Sequence, residues 1–269
     1  MRPSPPTQFR TLAGEAVLDA VRRRIVAAIA VVSLLSLMLV DTCTTCSGGE
    51  MVVNGEVREM TSIAGWTGTI TYAVLALWAI VLAGVLASEH LAQTLADGSA
   101  TLALARPVGR GTFALARLTG CLVIAFVTGL VLLGGTAFFV HARSGLTLGP
   151  ALVAGAACGV GAVTLAALAM TASLHLPRIA TVLLVFVAVA ATSLANLVAM
   201  FRGGAEGLLG ALDRFGPPLC TAIALALSPW IDEVSLTAAP AEIALRHGVW
   251  AAASIALLWA VFRRLELRD

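Results

Sequence analysis

The chain has 269 residues, of which 59% are hydrophobic and only 12% charged, and its mean hydropathy is +0.96. A soluble domain of this length cannot hide so much apolar surface, and several charge-free runs of about 20 residues, each able to cross roughly 30 Å of hydrocarbon, point to a polytopic helical membrane protein. The net charge of +2 argues against nucleic acid as a partner, and a chain without lysine has neither the phosphate-loop lysine of a standard ATPase nor a Schiff-base amine.

Residues 1–24 come first, with the amphipathic stretch FRTLAGEAVLDAVRRR before any apolar run. A cleaved signal leads from a short charged segment straight into its apolar run, so a retained first span is expected at 25–40, bounded by Arg22–Arg24 and Asp41. The arginines can snorkel and lengthen this short span. A polar loop, 41–61, leads to a second span at 63–87, with Trp66 near an interface. Further spans are expected at 118–140, 151–173, 179–200 and 243–262. Residues 25–269 thus form a six-helix transmembrane domain behind a cytoplasmic amphipathic N-terminal helix.

Arginine placement sets the orientation. With six spans, the termini and the even-numbered connections share one side, and that side holds twelve of the 17 arginines. The other holds Arg58, Arg143, Arg202, Arg214 and Arg246. Both termini and the 88–120 segment are therefore expected in the cytoplasm. The uncharged run FGPPLCTAIALALSPWI, 215–231, would send three arginines to the wrong side if it crossed, and its prolines suit a straight spanning helix badly. A re-entrant or surface hairpin before the sixth span fits both facts.

The segment SEHLAQTLADGSATLALARPVGRGTFALARLTG, Ser88 to Gly120, is the most informative. Asp97-Gly98-Ser99 can cap a helix, TLALA propagates it and Pro107 breaks it. A second short helix from Gly109 is expected to lead into the third span. Arg110 and Arg117, seven apart, share a helical face with Phe113 and Ala114, and are expected to meet lipid phosphates or a protein partner. The plainer reading is that any inner loop carries arginines to set topology.

This segment resembles the cytoplasmic loop of ABC-2-type transporter permeases. There a Glu ends the second span, Gly-Thr-Leu follows, then a run ending Arg-Pro-Val-Ser-Arg, then Lys or Arg seven residues on. Here the places hold Glu89, Gly98-Ser99-Ala100, Arg106-Pro107-Val108-Gly109-Arg110 and Arg117. The departures are Ser99 for Thr, Ala100 for Leu, Gly109 for Ser and Arg for the commoner Lys at 117. The N-terminal stretch, with Glu15 and Arg22–Arg24, and the basic end FRRLELRD resemble the family's as well.

The resemblance implies a permease subunit of an ATP-driven exporter, multi-pass in a bacterial plasma (inner) membrane and not itself an enzyme. Its loop would form a coupling helix between spans two and three, with Glu89, Gly98, Ser99, Arg106, Pro107, Arg110 and Arg117 as coupling residues. The partners implied are a separate ABC ATPase, a second permease copy (itself or a paralogue) and membrane lipid; ATP and Mg belong to the ATPase, and no cofactor to this chain. Spans one to five contain no Asp, Glu, Lys or Arg, which agrees with energy supplied from outside the polypeptide. The alternative is a non-transporting ABC-2-like membrane scaffold or maturation factor, for example in metal-enzyme assembly, acting on an external partner.

Other features read more plainly. Cys43 and Cys46 form an external CxxC, read as a disulfide, with a redox site or part of a soft-metal site as the other readings. His141 and Met51 lie on the same side; no metal set is complete. Cys121, Cys158 and Cys220 fall in apolar runs as packing residues. Gly155, Gly159 and Gly161 give the fourth span a small-residue face, and Asn196 is an amide suited to bonding across helices. Leu174–Arg178 is a tight turn or a smaller ATPase contact. No HExxH, GxSxG or paired EExxxR motif is present.

Overall fold

Long uncharged runs of Leu, Val, Ala and Ile satisfy their backbone polar groups internally as helices, the form open to a single segment in hydrocarbon. The computed structural model describes residues 5–22, 31, 34, 35, 38, 51–53, 56–58, 60–96, 98, 109–231 and 239–264. Helix α1 covers Pro5–Arg22, followed by strands β1 (Met51–Val53) and β2 (Glu56–Arg58). Four long helices come next: α2 (Met60–Ala96), α3 (Arg110–Ser144), α4 (Leu148–Ala172) and α5 (Arg178–Arg202). Two short helices, α6 (Gly207–Phe215) and α7 (Leu219–Leu227), precede a 3-10 turn at Ser228–Trp230 and the long α8 (Pro240–Arg264). Five of these helices are long and apolar enough to cross a membrane, so the chain is a multi-pass membrane protein.

The helices overrun the expected spans. α2 continues from 87 to Ala96, and α3 starts at Arg110, with Gly109 at its N-cap, as one helix into the third span. The reason lies in local satisfaction of polar groups. Ser88 Oγ donates to the Val85 carbonyl at 2.7 Å and Thr94 Oγ1 to that of Leu91 at 2.7 Å, so polarity does not end the helix. Hydropathy marks the apolar stretch, not the helix. The expected first span, 25–40, lies outside the described residues apart from Val31, Leu34, Leu35 and Met38, which are helical and largely exposed.

The polar loop 41–61 departs from the all-α expectation. β1 and β2 pair antiparallel, with Met51 opposite Arg58, Val52 opposite Val57 and Val53 opposite Glu56. The sequence carries Asn54-Gly55 between them, the dipeptide favoured in two-residue hairpin turns.

Helix α4 touches α2, α3, α5, α7 and α8. Its glycines permit this. A Cβ on Gly159 would lie 2.9 Å from Phe126 of α3, and one on Gly161 would lie 2.8 Å from Ile80 of α2. Close backbone approach through small residues is a general device of membrane helix packing. Tyr72 Oη donates to the Ala151 carbonyl at 2.7 Å and Cys158 Sγ to that of Ala76 at 3.3 Å, so these two polar groups are partnered across helices. Cys121, Cys158 and Cys220 are buried free thiols.

The bundle has two distinct ends. At one, Gly65 of α2 abuts the Trp230 carbonyl, and Trp230 Nε1 donates to the Thr147 carbonyl at 2.9 Å. At the other, Gly111 meets Trp259, Phe113 stacks on Phe262 with centroids 6.0 Å apart, and α1 crosses α3. α6 and α7 enter and leave at the Trp230 end. Asp213 is level with Asn196 of α5, Gly216 with Thr192, and Leu219 with Gly161 and Ile80 near the helix midpoints, before Trp230 brings the chain back. Gly216-Pro217-Pro218 forms the break.

Candidate functional site

The expected coupling residues distribute unevenly over the end opposite Trp230. Glu89, in the overrun of α2, is 7% exposed and forms an ion pair with Arg178 Nη2 at the start of α5. Arg178 follows the turn 173–177, where Pro177 is the helix N-cap. The two connections at this end are thus tied by one buried carboxylate and one guanidinium that is largely exposed. His90 beside it is buried.

Gly98 has φ +70° and donates its N–H to the Leu95 carbonyl at 3.3 Å. This is the left-handed glycine that closes a helix C-terminus, a conformation costly for residues with a Cβ. Gly98 follows the end of α2 at Ala96, and the helix start expected at Asp97-Gly98-Ser99 otherwise lies outside the described residues. Ser99, Arg106 and Pro107 lie outside the described residues.

Arg110 and Arg117 do not share an exposed face. Arg110 is exposed at the head of α3. Arg117 is 9% exposed, and its Nη1 donates to Asp19 Oδ2 of α1 at 3.2 Å while the guanidinium lies 5.4 Å from the Phe113 ring centroid. Phe113 and Ala114, its expected companions on an outer face, are fully buried. The seven-residue spacing was read without α1, whose Ala16 packs against Gly120 and covers that side of α3. Arg117 therefore fastens the N-terminal helix to the bundle.

This end carries Arg10, Arg110, Arg263 and Arg264 as exposed cations, with Arg263 over the Trp259 ring at 5.2 Å. Of the carboxylates described at this end, Glu89 and Asp19 are each turned to an arginine, and Glu15 of α1 is exposed. The result is a surface on helix ends in which exposed arginines outnumber exposed carboxylates among the described residues, a balance that attracts negative charge. Cys43 and Cys46 lie outside the described residues. Among the described residues no group of three or more His, Cys, Asp or Glu is placed to hold a metal.

Sequence reasoning missed an acid packed beside an apolar helix. Asn196, expected to bond across helices, does so: its Nδ2 donates to Asp213 Oδ1 of α6 at 2.8 Å. Asp213 belongs to no span, but α6 folds back and brings it beside α5. The signal available was Gly207, with φ +60°, followed by an amphipathic stretch and Pro217-Pro218.

No protein-family model matches the chain, and no curated protein matches it.

Proposed function

We propose that this chain is the membrane-spanning permease subunit of an ABC-2-type ATP-driven exporter, worked by a separate cytoplasmic ATPase. The observation that carries the reading is how far α2 and α3, on either side of their connection, run past their apolar spans. α2 continues from 87 to Ala96 and α3 begins at Arg110, ahead of 118, so each is one continuous lever from its end at Gly98 or Gly109 into its span. A force applied to those helix ends moves the spans directly. The Glu89–Arg178 pair extends the same push to α5.

Sidedness supports the same reading. α1, the α2–α3 connection, the turn before Arg178 and the basic end of α8 all gather at one end, which by the positive-inside rule is the cytoplasmic one. α1 lies at that end and α2 begins at the other, so residues 23–59 join the two ends, in keeping with six spans. The α6–α7 pair is then re-entrant from the outside. The working unit is a dimer of permeases carrying two ATPases in a bacterial inner membrane, with ATP and Mg bound by the partner.

The test is co-purification with a co-expressed ABC ATPase, compared with Arg106→Glu/Arg110→Glu. Loss of the complex and of coupled ATP turnover, with the permease still folded, is the expected result. Unchanged association and turnover would remove the docking assignment.

A further inference from the structure

Among the described residues, a half-buried cation at the Trp230 end has no acid paired with it. Arg246 lies six residues into α8, about 9 Å below its start at 1.5 Å per residue. Its Nη1 donates to the Arg214 carbonyl at 3.3 Å, at the C-terminus of α6, and its Nε is buried without a partner. Among the described residues no carboxylate pairs with it. Asp213 is turned to Asn196, and Glu242, one turn earlier on α8, is exposed. Trp250, one turn later, donates Nε1 to the Phe215 carbonyl at 2.9 Å and fixes α8 against the end of α6.

That fastening holds Arg246 against the backbone of the residue that carries a second guanidinium. Arg214 is exposed, 5.7 Å from the Phe215 ring centroid, and shares its residue with the carbonyl that Arg246 grips. The walls around the pair are apolar and open: Phe215 is 69% exposed, Leu245 70% and Val249 57%. In a helix about 37 Å long crossing roughly 30 Å of hydrocarbon, this depth lets both arginines reach the headgroup boundary by snorkelling.

We propose that Arg246 and Arg214 hold the phosphodiester headgroup of an anionic membrane lipid from the leaflet at this end. With Nη1 occupied, Arg246 keeps its Nε–Nη2 edge, the fork that matches two oxygens of one phosphate. A small rotation toward the membrane flank gives the orphan Nε an acceptor and the buried charge a counter-ion. The exposed Phe215, Leu245 and Val249 side chains suit acyl chains, which selects a lipid over a soluble phosphate. This rests on the chain being a multi-pass membrane protein and is independent of the ATPase reading.

The experiment counts phosphatidylglycerol retained by the detergent-purified protein, by native mass spectrometry, after titration with phosphatidylglycerol or phosphatidylcholine. The wild type should retain phosphatidylglycerol selectively, and Arg214→Gln/Arg246→Gln should bind it roughly tenfold more weakly, with no displacement by millimolar glycerol 3-phosphate. Arg202→Gln, an exposed arginine at the same end, should bind as the wild type. Should the double variant not fold, Arg214→Gln alone must still weaken retention several-fold. Equal retention in the Arg214 variants, an equal loss in Arg202→Gln, or displacement by the soluble phosphate would overturn the assignment.

Discussion

The crossing of α1 over α3 can be tested through one atom. A Cβ on Gly120 would lie 2.5 Å from the Ala16 Cβ and 3.2 Å from the Ala13 carbonyl oxygen, whereas carbons rest about 3.5–4.0 Å apart. Gly120→Ala must therefore push α1 away by about 1 Å. Overpacking of this kind costs about 1–3 kcal/mol, and the added helix propensity returns about 1. One turn earlier the Arg117–Asp19 bond, at 3.2 Å, cannot follow the displacement; with Asp19 41% exposed, its loss costs about 1 kcal/mol. The net is roughly 1–3 kcal/mol, and a 2 kcal/mol change raises the population of detached α1 about 30-fold. The chain has no lysine, so trypsin cuts only after arginine, and Arg10 in α1 reports detachment. Cleavage there should accelerate by that factor in the variant and slow again in Ala16→Gly/Gly120→Ala. Cleavage of Gly120→Ala within twofold of the wild type would refute the packing argument.

Three further outcomes follow from the bonds described. Arg178→Ala, which leaves the Glu89 carboxylate buried and alone, should destabilise by about 1–2 kcal/mol in detergent melting, while Arg178→Ala/Glu89→Gln recovers most of the loss. Asn196→Leu removes the donor to Asp213 and should cost about 1–3 kcal/mol, with Asn196→Leu/Asp213→Leu less harmful than the sum of the single changes. Gly65→Ala drives a Cβ into the Trp230 carbonyl and should lower the melting temperature more than Gly129→Ala, where nothing lies within 4 Å.

The spans were legible because hydropathy acts on every residue of a run. Four of the five expected ranges from 63 to 262 fall within described helices and the fifth, 151–173, runs one residue past Ala172; each of those helices also extends beyond its range at one or both ends, most at 88–96 and 110–117. Those ends were hidden because Ser88, Glu89 and Thr94 look like loop residues until their partners are known, and Arg178, Glu89's partner, is 89 positions away. Arg117 was misjudged for the same reason: a helical-face argument names neighbours on one helix and is silent about α1. The hairpin at Met51–Arg58 was legible through Asn54-Gly55 between β-branched residues and went unread beside the stronger apolar signal. Asp213 could be placed only after α6 was seen to fold back.

The proposed coupling requires the α2–α3 connection to face the compartment that would hold the ATPase. Gly109, exposed at the N-cap of α3, and Thr147, exposed at the opposite end, each accept a cysteine in a background lacking the native thiols. On intact cells an impermeant maleimide should label Thr147→Cys and spare Gly109→Cys, with the pattern reversed in inside-out vesicles. Labelling of Gly109→Cys on intact cells would place the connection outside and contradict the account.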